Sequence, residues 1–206
     1  MLDAGPDDKA TLVCATKICH ADAAAMIVEI DISMNDGQNI MNDNRYKELC
    51  DACCAGRTVG ITGSPPWRLW SIVRHFSKTG SPKPVRDRSA NGSWGIESFK
   101  SHQHTPEERK QADLESRTLL RQFYLPHLAA ESGSDPGFFM EHPADPMTYT
   151  KSRHGKDCVS WRCTKQCAAI SSAYEMGILS FKQGPPGQES DDWTSSMSDL
   201  DLGHLH

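Results

Sequence analysis

A chain of 206 residues with a formal net charge of −5 suits one domain. Leu, Ile, Val and Phe supply only about 17% of it, which excludes a large core and points to a modest one with disordered ends. No run approaches the roughly 20 apolar residues of a membrane span, and the acidic start MLDAGPDDKA lacks the basic and apolar parts of a signal peptide. A soluble intracellular protein, cytoplasmic or nuclear, with reduced thiols is therefore expected.

Residues 1–24 form a poorly defined segment whose one candidate element is a short strand, TLVCA (11–15). AMIVEIDI (25–32) reads as a buried strand: a short β-branched run that ends in the acids Glu29 and Asp31 and is broken by Asn-Asp-Gly. Residues 42–55 read as a helix closed by Gly56, and TVGIT (58–62) as a second buried strand that runs into Ser64-Pro65-Pro66-Trp67. Strand, helix and strand in so short a span predict a βαβ unit and a parallel sheet. Residues 77–104 read as a loop, with Pro82, Pro84, Gly92 and Gly95. Thr105 is the expected N-cap of the next helix, with Pro106 at its first position and Glu108 completing a capping box. Ala112, Leu119, Leu120, Phe123 and Leu128 give that helix an apolar stripe, and Pro126 is expected to kink or end it. GFFMEHP (137–143) reads as a third strand, residues 163–175 as a short helix and GILSFKQG (177–184) as a fourth strand. Beyond Lys182 acids appear without any Lys or Arg, so 188–206 is expected to be a disordered acidic tail.

The eight cysteines fall in three groups, one of them C-x2-C within ELCDACCAG. Thiolates at that spacing can hold zinc, but no second pair follows at finger spacing. The motif lies on the helical stretch, where free Cys serves as a small apolar residue, so no metal site is assigned.

In a parallel α/β sheet, ligands bind beyond the carboxyl ends of the strands. Glu29 and Asp31, Ser64 to Trp67, and Glu141-His142-Pro143 all occupy such positions. A strand-end acid can accept hydrogen bonds from a ribose or an amine. A proline pair fixes the residue that follows it, and an aromatic ring held there can stack on a base drawn out of its helix. Each feature also has a plain structural reading. The corner can simply close a strand, with Trp67 and Trp70 packed on the core. Glu141 can be a solvated strand end, and Glu29 and Asp31 the exposed side of an alternating strand.

The order of an acid-ended strand, GSPPWRLWS and FFMEHPADP resembles the cytosine-5 DNA methyltransferases, which carry Gly-x-Pro-Pro-Cys after one strand and Glu-Asn after the next. GSPPWRLWSIVRH, PKPVRDR, WGIESF, TPEERKQAD and MEHPADP together look like methyltransferase-like segments of retroelement-type polyproteins. The resemblance spans residues 25–187 and implies an incomplete Rossmann-like methyltransferase sheet, mostly parallel, with a long basic loop. By the same resemblance, Glu141 matches the glutamate that contacts the target cytosine, and Asp31 or Glu29 the acid that faces the adenine of S-adenosylmethionine. Pro65 and Pro66 match the proline pair.

Three departures follow. The family's nucleophilic cysteine is Trp67 here and His142 replaces its asparagine, while Gly5 is the only glycine before residue 25, where the cofactor's glycine-rich loop belongs. Cytosine-5 transfer needs a thiolate, which tryptophan cannot supply. A degenerate, inactive domain is the leading expectation. Ser64-Pro65-Pro66-Trp67 also matches the Ser/Asn/Asp-Pro-Pro-aromatic motif of amino-methyltransferases, which need no thiolate. A third reading is a nucleic-acid-binding remnant. Residues 68–104 carry seven basic residues, among them Arg68, Arg74, Arg86 and Arg88, against two acids, a balance that suits a phosphate backbone.

Overall fold

The computed structural model describes residues 39–66, 68–70, 84–88, 92–95, 104–134, 136–149, 157–182 and 193–199. The expected strands at 11–15 and 25–32 lie outside these residues. Helix α1 (Asp43–Cys54) forms where the sequence places it. The Asn42 side chain accepts hydrogen bonds from the backbone N–H groups of Asn44 and Arg45, and the chain leaves through Gly56 at a φ of 65°. Strand β1 (Gly60–Gly63) follows, then a 3-10 turn at Arg68–Trp70.

Helix α2 (Pro106–Glu131) starts on the expected capping box. Glu108 N donates to Thr105 Oγ1 at 3.1 Å, and Thr105 N donates to the Glu108 carboxylate at 3.2 Å. Pro126 does not end this helix, which continues to Glu131. The lost turn bond is offset by burial on both sides of the proline: Leu125 and Ala129 pack against Cys53 of α1, and Phe123 enters the main core.

Strand β2 (Gly137–Pro143) coincides with the expected strand, and a single helical turn, α3 (Pro146–Tyr149), follows it. A second 3-10 turn (Trp161–Cys163) leads into α4 (Lys165–Ala173), which is capped by the Thr164 hydroxyl and shorter than the expected 163–175. Strands β3 (Gly177–Lys182) and β4 (Trp193–Ser198) complete the sheet, whose order is β1-β2-β4-β3.

The fold is thus α/β with a mixed sheet. The βαβ unit is β1-α2-β2, a parallel pair, whereas β4 runs antiparallel to both β2 and β3. Only one of the three pairings is parallel, although β1, β2 and β3 share one direction and β4 alone runs against them, so among the described residues the sheet is mixed.

The acidic tail is corrected, because residues 193–198 form an interior strand with Thr194 to Ser198 buried. Hydroxyl partners make this burial tolerable. Ser195 and Ser180 share a hydrogen bond of 2.7 Å, and Ser198 Oγ donates to Phe138 O at 2.6 Å. Asp199 then accepts from Phe138 N at 2.7 Å, fixing the end of β4 to the start of β2.

The main core lies between α2 and one face of the sheet. Leu119 and Phe123 of α2 meet Phe138, Met140 and Met197 of the sheet, and Trp70 and Trp161 close the space between them. Cys167 joins this core and Cys53 a smaller one, the small apolar role read from the sequence.

Candidate functional site

Strands β1 and β2 point their carboxyl ends the same way, with Gly63 opposite Met140. The next residue on one chain is Ser64 and on the other Glu141, so the diproline corner and the glutamate reach the same rim of the sheet. Ser64 is exposed, Pro65 buried and Pro66 half-buried. Trp67 lies outside the described residues, as do Glu29, Asp31 and Arg74.

The turn that follows Trp67 is firmly anchored. Leu69 N donates to the Glu115 carboxylate of α2 at 3.2 Å, Leu69 packs with Val85 and Ala112, and Trp70 enters the main core.

The two sides of β2 differ. Phe138, Met140 and His142 are buried, while Phe139, Glu141 and Pro143 alternate with them and are half-buried. Glu141 therefore faces away from the α2 side and stands opposite Ser196 of β4. His142 faces the core, 98% buried, between two indoles. Its ring centroid is 5.7 Å from that of Trp70 and 5.9 Å from that of Trp161.

Trp70 also meets Arg86, whose guanidinium lies over the indole 4.1 Å from the ring centroid. Arg86 is 1% exposed. It donates to Ser93 O at 2.9 Å, Ala112 O at 3.0 Å and Ser116 Oγ at 3.1 Å. Burial pulls its pKa down to about 10, and the Glu115 carboxylate opposes the fall. Burial pushes His142 down to about 3; contact with the Pro143 carbonyl opposes this and the Arg86 charge adds to it.

Among the basic residues singled out in the sequence, Arg68 is exposed, and Arg86 is held inside rather than turned toward a phosphate backbone. Arg88 forks onto Asp145, just beyond β2, and donates to Cys163 Sγ at 3.0 Å. Burial raises the Cys163 thiol pKa, against the Arg88 charge. The sequence reading passed over Trp161 and Glu115, and placed His142 at the strand end without a core role. The signal available for His142 was its phase with Phe138 and Met140 in GFFMEHP.

The acids matched to S-adenosylmethionine in the sequence, Glu29 and Asp31, are outside the described residues. At the described rim, Pro65 and Pro66 have no N–H to offer a ligand. No methyl-transfer step is derived through the cofactor. No described helix is long and apolar enough to cross a membrane. The chain matches no known family model, no curated protein and no solved structure.

Proposed function

We propose that this chain is a degenerate methyltransferase-like domain of cytosine-5 ancestry that holds nucleic acid at the rim of β1 and β2 without methylating it. The observation that carries this reading is the register of the parallel pair, which brings Ser64-Pro65-Pro66 and Glu141 to one rim in the order the family uses. Trp67 in the nucleophile position removes the thiolate that attack on cytosine requires.

Two measurements test the proposal. With S-adenosylmethionine and a duplex containing fluorocytosine, no covalent adduct is expected, and an adduct would overturn the inactivity. Affinity for a duplex with a mismatched cytosine is expected to fall on Glu141→Gln. Binding indifferent to that change, or no binding at all, would remove the rim as a base site.

The exposure of Ser64 favours a second reading, an amino-methyltransferase in which Ser64 accepts a hydrogen bond from the target amine. Calorimetric titration with S-adenosylmethionine, with and without nucleic acid, decides it. Heat of binding supports the second reading, and its absence at millimolar ligand eliminates it.

A further inference from the structure

The turn Arg68–Trp70 leaves the diproline corner and is held on several sides. Leu69 N donates to the fully buried Glu115 carboxylate of α2 at 3.2 Å, across 46 residues of chain. The Leu69 side chain packs with Val85 and Ala112. Trp70 lies in the main core with the Arg86 guanidinium over its ring, and its carbonyl receives Cys158 Sγ at 3.6 Å.

Glu115 is itself braced. Gln111 Nε2 donates to its other oxygen at 3.3 Å, and Arg86 bonds Ala112 O and Ser116 Oγ on either side of it along α2. A buried anion thus has a buried cation beside it, which is how an ion is kept in low dielectric. A hydrogen bond from a backbone N–H to a carboxylate is strong and directional. It fixes where the turn sits and which side chain the turn presents to water.

That side chain is Arg68, exposed where Leu69 and Trp70 are buried. Arg86 is held inside and Arg88 forks onto Asp145. Among the described residues of 68–104, Arg68 is the one Lys or Arg with neither burial nor an ion pair. It lies just beyond the corner whose Ser64 shares a rim with Glu141.

We propose that Glu115 is the positioning residue of the rim, fixing the turn so that Arg68 meets the phosphate next to the base seated there, a role that rests on the reading of that rim as a nucleic-acid site. A guanidinium on a rigid backbone keeps its fork aligned with two phosphate oxygens and loses less freedom on binding. Glu115 touches no ligand and acts through Leu69 N.

Fluorescence anisotropy of the full chain with a labelled duplex containing a mismatched cytosine, read across a salt series, tests this. Arg68→Met should weaken binding about tenfold and lower the slope of log affinity against log salt by about 0.9, the contribution of one phosphate. Glu115→Gln and Glu115→Leu both remove the charge beside Arg86, but only leucine removes the acceptor for Leu69 N. Glu115→Gln should therefore bind the more tightly of the two, and in an Arg68→Met background the two should bind alike. In the wild type the Leu69 amide should exchange as slowly as those of β2, a readout that holds even if Glu115→Leu fails to fold. Unchanged affinity and slope in Arg68→Met, equal binding by the two folded Glu115 variants, or a fast Leu69 amide would each overturn the proposal. Binding that falls on Arg68→Met but not on Glu141→Gln would remove the base site and leave the Arg68 contact standing. The reverse pattern would remove the Arg68 contact alone, and a wild type that binds no duplex would remove both.

Discussion

Replacing Arg86 with methionine separates a buried strut from a nucleic-acid contact. The fall of its pKa from 12.5 to about 10 corresponds to about 3 kcal/mol of desolvation carried by the cation, which methionine would not carry. Methionine also fills much of the same volume along Trp70. The damage in Arg86→Met therefore falls on what stays behind. Ser93 O loses its donor, Trp70 loses the cation over its face, and the fully buried Glu115 loses the nearby positive field. Removing one partner of a buried charged pair costs about 3–5 kcal/mol, whereas neutralising both is often nearly free. Urea unfolding followed by far-ultraviolet circular dichroism should show a loss in that range for Arg86→Met. Adding Glu115→Gln should return at least about 1 kcal/mol of it. The exposed Arg68→Met should stay within about 0.5 kcal/mol. An Arg86→Met protein as stable as wild type, with weakened and less salt-dependent nucleic-acid binding, would refute the reasoning and return Arg86 to the surface.

Ending the chain at Ser190 removes β4 from between β2 and β3, so the cooperative thermal transition should disappear; a truncated protein that still melts sharply would contradict the sheet order. Thr105→Ala breaks the capping box of α2 and should cost about 1 kcal/mol by urea midpoint. Burial pushes the Cys158 and Cys167 thiols up to about 12, so both should resist iodoacetamide at pH 8 until the domain unfolds, while the exposed Cys54 is alkylated in the folded protein, as peptide mapping would show. Because these two thiols are raised only in the folded state, their effect on stability is absent below pH 9. Stability should then fall as the pH climbs from 9 toward 12, and an alkaline titration of the melting temperature that stays flat would contradict their burial.

Elements with strong local chemistry were legible in the chain. Thr105, Pro106 and Glu108 specify the start of α2 by contacts within one turn, and GFFMEHP specifies β2 by an apolar run stopped by proline. What stayed hidden depends on distant partners. WTSSMS has no apolar alternation, and the buried hydroxyls of Ser195 and Ser198 are met by Ser180 and Phe138 O, the latter 60 residues away. Arg86 reads as a surface cation until Ala112 and Ser116, 26 and 30 residues on, supply its acceptors. Pro126 follows the same logic, since packing of α2 on α1 and on the sheet outweighs a local preference to stop. At the candidate site, the order of the corner and Glu141 was readable, but the orientation of Glu141 away from the α2 side came only with the strand register.

The position of β4 has a consequence for biosynthesis. A nascent chain emerging from the ribosome has β2, and then β3, before it has the strand that belongs between them. Until Trp193–Ser198 arrives, two strand edges and the apolar side chains Phe138 and Met140 are left for chaperones or for neighbouring chains to find. Closure joins residues some 60 positions apart, a slow step by loop-closure entropy, so yield should depend on how long translation and release keep those edges waiting.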